Sequence, residues 1–169
     1  AKRRGIKTAV VLHGIPSAGR HTRLMDTQAD DVFIGGPGKT PIHRALGTPE
    51  ARIHPTGFPL VDRYAKRERK PRSEKPTVLV LSHWAAIEEN ILPIVDLLRR
   101  HKGLRLIVKL HPGESVEMYR RVLGERVDEN CRLEDRWNIS ELLAECDLVV
   151  GGPSTALIEA MAVGLPVAL

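Results

Sequence analysis

The 169-residue sequence predicts an α/β chain: a Rossmann-like parallel sheet with covering helices, preceded by part of a second Rossmann-like lobe. Three observations carry this prediction. Beyond residue 76, short apolar runs alternate with amphipathic stretches, and parallel neighbouring strands need a crossover of that kind between them. A Lys/Arg-rich segment at 63–76 divides the chain into unequal parts. Several apolar runs end on His, Gly, Ser or Thr, where a parallel sheet presents its ligand-binding edge.

In the first part, 8–12 (TAVVL) reads as a β-rich run ending at His13-Gly14, followed by a polar loop through 23. A second strand is expected at 31–34 (DVFI), closed by Gly35-Gly36-Pro37-Gly38, and a short helix at 42–46. Residues 52–54 lead into Thr56-Gly57-Phe58-Pro59, a turn by its Gly and Pro content. GGPGKTP invites comparison with a phosphate loop, but the required Gly five residues before Gly38 is Phe33. Pro41 also disfavours helical geometry at Thr40, and position 41 lacks the third Gly of a dinucleotide fingerprint, so 35–41 is expected to be a loop.

The second part is cleaner. A buried-type strand at 77–81 (TVLVL) precedes a helix at 91–100 with apolar residues at 91, 94, 95 and 98, and Pro93 suits its first turn. A strand at 104–110 precedes a helix at 116–127, capped by Ser115 and carrying Tyr119, Val122 and Leu123 on one face. A weaker strand signal at 131–133 is followed by an N-x-x-E cap (Asn138, Glu141) before ISELLAE. A strand at 147–150, a helix at 154–163 stopped by Gly164, and a further strand from 166 complete the pattern. The chain starts at Ala1 rather than Met and ends within a strand. It is therefore expected to be a fragment of a longer protein, whose remainder any activity needs.

The net charge of +5 is local. Residues 63–76 hold seven Lys/Arg against two Glu, and the rest of the chain balances at 19 against 19. Such a stretch reads as a solvated linker or, if it acts, as a patch for an anionic membrane surface at about 1 kcal/mol per basic residue. Nucleic acid is not expected, because two Trp, two Tyr and two Phe form no stacking pattern. The longest nearly apolar stretch, 160–169, is about half of what a membrane-spanning helix needs. Cys131 and Cys146 form no CxxC and no HExxH occurs, so no disulfide framework, zinc site or other metal is expected, and a reduced cytoplasm fits.

The richest stretch is DLVVGGPSTALIEAMAVGLPV. Glycines such as Gly152 let the backbone approach a ligand, and Ser154 and Thr155 open a helix whose positive end suits a phosphate. Glu159, one and a half turns on, is placed to accept hydrogen bonds from sugar or ribose hydroxyls. The alternative is that Ser154 only caps the helix and Glu159 is solvated. VKLHPGE puts His111 at a strand end with Lys109 two residues before it, where an imidazole can protonate a leaving oxygen or bond a diphosphate. VVLHGIP repeats the arrangement with His13 and Gly14, suiting removal of a proton from an attacking hydroxyl. His21, His43, His54 and His101 lack supporting neighbours and are expected at the surface.

With these motifs in order, the chain resembles GT-B-fold enzymes, most of all the CDP-glycerol glycerophosphotransferases of teichoic acid synthesis and related capsule-polysaccharide transferases. The matching pieces are His13-Gly14, the TGFPLVD turn at 56–62, a strand leading to Trp84, KLHP at 109–112, and D-L-V-V-x-x-x-S-T-x-x-x-E-A-x-x-x-G-x-P-V at 147–167. The resemblance implies that His13 is the base on the acceptor hydroxyl and that His111 assists the donor phosphates or leaving group. Ser154 and Thr155 would hold a donor phosphate, with Gly14, Gly57, His83, Lys109, Gly152 and Glu159 as further substrate-binding residues. It implies no metal and no cofactor, a CDP- or UDP-activated donor, and a polymer or lipid-linked hydroxyl acceptor.

On this reading, 1–62 is the tail of an acceptor-side lobe, 63–76 a basic linker, and 77–169 a nucleotide-donor lobe incomplete at its C-terminus. The enzyme would be cytoplasmic, peripheral at the inner face of the cell membrane. Two departures leave a sugar donor open: Ser82-His83-Trp84-Ala85 stands where the family tends to have Pro-Thr-Trp-Arg, and Glu159-Ala160 where it commonly has Asp. UDP-N-acetylglucosamine 2-epimerases, of the same fold, are similar in the TGFPLVD turn and in LSHWAAIEEN, which would also make His83 a site residue. Their D-S-G-G-x-x-E-E element is unmatched, since Gly152 and Pro153 replace its Asp and Ser and Ile158 one Glu. A non-catalytic nucleotide-binding lobe is the third reading.

Overall fold

A computed structural model describes residues 4–12, 28–64, 74–82, 87–135 and 138–169. The chain divides into two compact units, Ala1–Arg63 and Tyr64–Leu169. In the first, β1 (Ala9–Val11), β2 (Asp31–Ile34) and β3 (Ile53–Pro55) form a parallel sheet in that order. Val32, Ile34 and Ile53 are its buried core, with Val10 and Leu12 packed against them. Only a lead into a turn was expected at β3; Ile53 makes it a strand by pairing with Val32 and burying its side chain.

Three expectations for this unit need correction. Residues 35–41 are not all loop: a 3-10 turn, Pro37–Lys39, runs into helix α1, Thr40–Ala45. Thr40 is helical (φ −53°, ψ −46°) despite the proline after it, because Pro41 sits in the first turn where no N–H is required. Gly35 does leave room for a close approach, but the Phe58 ring of this unit fills it. His43 is not at the surface but fully buried on α1, where burial holds its imidazole below the ordinary range. His54 is only partly exposed, with Nε2 2.7 Å from Asp31 Oδ1 and its ring stacked on Phe33 at a centroid distance of 5.0 Å. A four-residue helix α2, Pro59–Asp62, follows the turn at Gly57, whose φ of +91° favours glycine.

The second unit is the expected parallel sheet. Strands β4 (Thr77–Leu81), β5 (Arg105–Lys109), β6 (Cys131–Glu134), β7 (Leu148–Gly151) and β8 (Val167–Ala168) stand in the order β6-β5-β4-β7-β8. Among the described residues these five strands all pair in parallel, and the order reverses between β4 and β7, where such sheets take their ligands. Period-two alternation divides the buried residues between the faces. Val78, Val80, Leu106 and Val108 pack under α3 (Leu92–Arg99) and α4 (Val116–Leu123) through Val95, Tyr119 and Leu123. Leu79, Ile107 and Val149 lie on the other face, which α5 (Ile139–Glu145) and α6 (Thr155–Ala162) cover.

Local chemistry sets the helix limits. Ser115, Asn138 and Ser154 each accept a backbone N–H as N-caps, from Met118, Ser140 and Leu157. α4 ends at Leu123 rather than 127 because Gly124 turns to φ +53°, and a 3-10 turn, Gly124–Arg126, completes the expected span. A π-helical turn, Ile87–Ile91, leads into α3. Tyr64 lies within the basic stretch read as solvated, yet it is buried. Among the described residues no helix is long and apolar enough to cross a membrane.

Candidate functional site

At the carboxyl end of the second sheet, Leu81 of β4 pairs with Lys109 of β5 on one side and Gly151 of β7 on the other. Glu134 of β6 extends the row beyond Lys109. The segments leaving β5 and β7 therefore depart at one level, two strand spacings or roughly 9–10 Å apart. One carries His111; the other carries Gly152, Ser154 and Thr155 and runs into α6. Chain topology thus brings these four predicted residues to one edge.

His111 is held by its own turn. Its backbone N–H is shared between Ser82 Oγ and Glu114 Oε2, 2.7 Å from each, and its Nδ1 accepts the Gly113 N–H at 3.2 Å. A neutral imidazole that accepts at Nδ1 carries its proton on Nε2, so the ring is arranged as a donor there.

Lys109 sits lower, inside the row. It is buried, donates from Nζ to the Leu110 carbonyl, and lies in register with buried Glu134. Burial lowers its ammonium pKa, while the charges of Glu134, Asp135 and Glu114 oppose that shift.

The two glycines differ. A Cβ on Gly151 would lie 2.8 Å from Leu81 Cβ and 3.1 Å from Leu81 O, so this glycine lets β7 close against β4. A Cβ on Gly152 would meet nothing within 4 Å among the described residues, whose packing does not demand a glycine there. Ser154 Oγ accepts from Leu157 N at 3.3 Å, and α6 directs its positive end at the sheet edge. Beside β4 and β7 lies a pocket of about 270 Å³, lined in part by Leu81, Asn90, Ile94, Val150 and Gly152, just below the usual size of a small-molecule cleft.

Glu159 is not the solvated residue of the alternative reading. It is 5% exposed and accepts the Tyr64 hydroxyl, which is also 2.8 Å from Ser140 Oγ. Gly57 belongs to the first unit. His13, Gly14 and His83 lie outside the described residues. The sequence points to Ser82 only as a residue at a strand end, and gives Glu114, Tyr64 and Glu134 no role. Glu114 alone left a signal: three residues after His111 and just before a cap, it is placed for a carboxylate to fold back on the preceding turn. Among the described residues no group of three or more His, Cys, Asp or Glu side chains is placed to hold a metal. The buried thiols of Cys131 and Cys146 are pushed up to about 11 and about 12.

No protein-family model and no curated protein matches the chain. Solved structures do. The UDP-N-acetylglucosamine 2-epimerase from Rickettsia bellii is 16% identical with a TM-score of 0.71, over 98% of this chain and 50% of that one. The UDP-GlcNAc 2-epimerase from Neisseria meningitidis bound to UDP-GlcNAc is 15% identical with a TM-score of 0.67, over 86% and 45%. The wall teichoic acid polymerase TagF, in a variant soaked with CDPG, is 17% identical with a TM-score of 0.56, over 90% and 42%. At these identities the likeness is one of fold: the chain has the α/β, GT-B-like architecture of these enzymes and spans at most half the length of each.

Proposed function

We propose that the chain is part of a transferase of cell-envelope polysaccharide or teichoic acid synthesis, moving a glycosyl or glycerol-phosphate group from a CDP- or UDP-activated donor to a hydroxyl acceptor. The observation that supports this most is the common level at which β5 and β7 deliver His111 and the Ser154-capped α6 to the switch point of a parallel sheet. On this reading the donor diphosphate lies against Gly152, Ser154 and Thr155, and the dipole of α6 stabilises its charge. The acceptor oxygen forms the new bond and gives its proton to His13. The bond to the nucleotide breaks, releasing CMP from CDP-glycerol or a nucleoside diphosphate from a nucleotide sugar, and His111 donates from Nε2 to the departing phosphate oxygen. Holding donor and acceptor together supplies much of the rate, and an imidazole acid or base adds on the order of 10² to 10⁴. The acceptor is a polymer or a lipid-linked hydroxyl. The basic 63–76 stretch suits peripheral contact with the anionic inner face of the membrane.

A second reading, UDP-N-acetylglucosamine 2-epimerase, draws on the epimerases among the similar structures. The transferase reading is preferred because Gly152-Pro153 and Ile158 replace acidic and hydroxyl residues of the epimerase element. Thermal-shift measurements on the full-length protein with CMP, CDP, UMP and UDP test for the nucleotide site, and no shift with any of them would point to a non-catalytic lobe. Turnover of UDP-GlcNAc without acceptor would favour the epimerase. Loss of polymer extension in His13→Ala and in His111→Ala, with fold retained, supports the transferase, and full activity in either rejects that residue's role.

A further inference from the structure

Three donors converge on the Glu114 carboxylate. Ser82 Oγ and the His111 backbone N–H both donate to Oε2, the latter at 2.7 Å, and the Tyr119 hydroxyl donates to Oε1 at 3.1 Å. They come from three places: the residue after β4, the residues after β5, and the interior of α4. Tyr119 is fully buried and Ser82 nearly so, which makes a lost acceptor costly. Burial, with the nearby Glu114 charge, pushes the Tyr119 hydroxyl up to about 12, so it stays a donor at working pH. The Glu114 N–H in turn donates to the His111 carbonyl at 2.9 Å, closing the turn in which Gly113 N–H reaches His111 Nδ1.

A carboxylate accepts at two oxygens and donates nothing, which matches three converging donors. A glutamine in its place presents one acceptor and an NH₂ that faces a donor. We propose that Glu114 is the positioning residue for His111: it clamps the turn after β5 to the end of β4 and to α4, and so keeps the Gly113 N–H on Nδ1 and the imidazole proton on Nε2. The inference deepens the proposed function, since it presumes that His111 acts from Nε2, but its geometry and its spectroscopic test stand without substrate.

The test is ¹⁵N NMR of the histidine imidazoles in the whole chain at neutral pH. Wild type is expected to show His111 in the Nε2–H tautomer. Glu114→Gln is expected to show a mixture of both tautomers and, in the full-length enzyme, a kcat lowered roughly 10- to 100-fold with a donor KM changed less than about twofold. If Glu114→Gln fails to fold, Glu114→Asp, which keeps the charge but withdraws it by one methylene, is read in the same spectrum with the same expectation. An unchanged His111 tautomer in whichever variant folds overturns the proposal, whatever the activity. A mixed tautomer together with full turnover in His111→Ala upholds the clamp and removes the transfer role of His111 instead.

Discussion

Tyr64 donates its hydroxyl hydrogen to Glu159, joining the first residue of the second unit to its last helix. The same hydroxyl is 2.8 Å from Ser140 Oγ on α5, so one buried phenol links α5, α6 and the start of the basic stretch. Tyr64→Phe keeps the ring and removes the hydroxyl's hydrogen bonds to Glu159 and Ser140. It is expected to cost about 1–3 kcal/mol in the urea unfolding of the second unit, while Tyr64→Leu costs more because packing goes as well. Equal stability of Tyr64→Phe and wild type would show that the hydroxyl contributes nothing.

Gly151 meets Leu81 across β4 and β7 with no space for a side chain. Gly151→Ala is expected to destabilise the second unit by about 1–3 kcal/mol, because the obstruction is backbone and Cβ rather than a flexible side-chain end. Gly152→Ala, which meets nothing among the described residues, is expected to leave stability within about 0.5 kcal/mol while weakening nucleotide binding. Thermal unfolding of the two variants side by side checks the contrast. Equal losses would contradict it.

His43 is fully buried, and its two ring nitrogens have no hydrogen-bond partner among the described residues. Burial lowers its pKa from 6.5, so as pH falls the unfolded chain takes up the proton first. Its contribution to stability is therefore complete above about pH 6.5 and declines as pH falls from there towards the folded-state pKa. Comparing urea unfolding of wild type and His43→Leu at pH 7.5 and at pH 5 cancels the other titrating groups. Wild type is expected to lose more stability than the variant between the two, and equal losses would contradict the assignment.

Ser154 caps α6 and is also proposed to hold a phosphate, and the two roles separate by charge. Ser154→Asp keeps a good N-cap but opposes an anion. Stability within about 0.5 kcal/mol of wild type is expected, with CDP or UDP affinity at least about tenfold weaker. Ser154→Ala is expected to lose about 1 kcal/mol of stability from the cap alone. Unaltered nucleotide affinity in Ser154→Asp, measured by calorimetry, would leave only the cap.

The second unit was legible because its elements carry strong local signals. Runs such as TVLVL are buried on both faces, and Ser115, Asn138 and Ser154 stand where caps belong. The first unit was less so. β3 spans only Ile53–Pro55 and gains its identity from pairing with β2, a non-local event with no period to read. His43 looked like any polar residue of a short helix because nothing local says which side of α1 meets the sheet. The site was legible as strand-end motifs, but the partners that hold them were not. Tyr64 lay hidden in a cationic run, and the use of Glu114 depends on β4 and β5 ending side by side.

The central claim is that the sheet edge between β5 and β7 receives a nucleoside diphosphate. Amide NMR titration of the chain with CDP and with UDP tests it most directly. The account predicts that Gly152, Ser154, Thr155 and His111 shift together along one binding isotherm for at least one of the two nucleotides. Saturable shifts confined to other residues, or no saturable shift with either nucleotide in the folded chain, would contradict it.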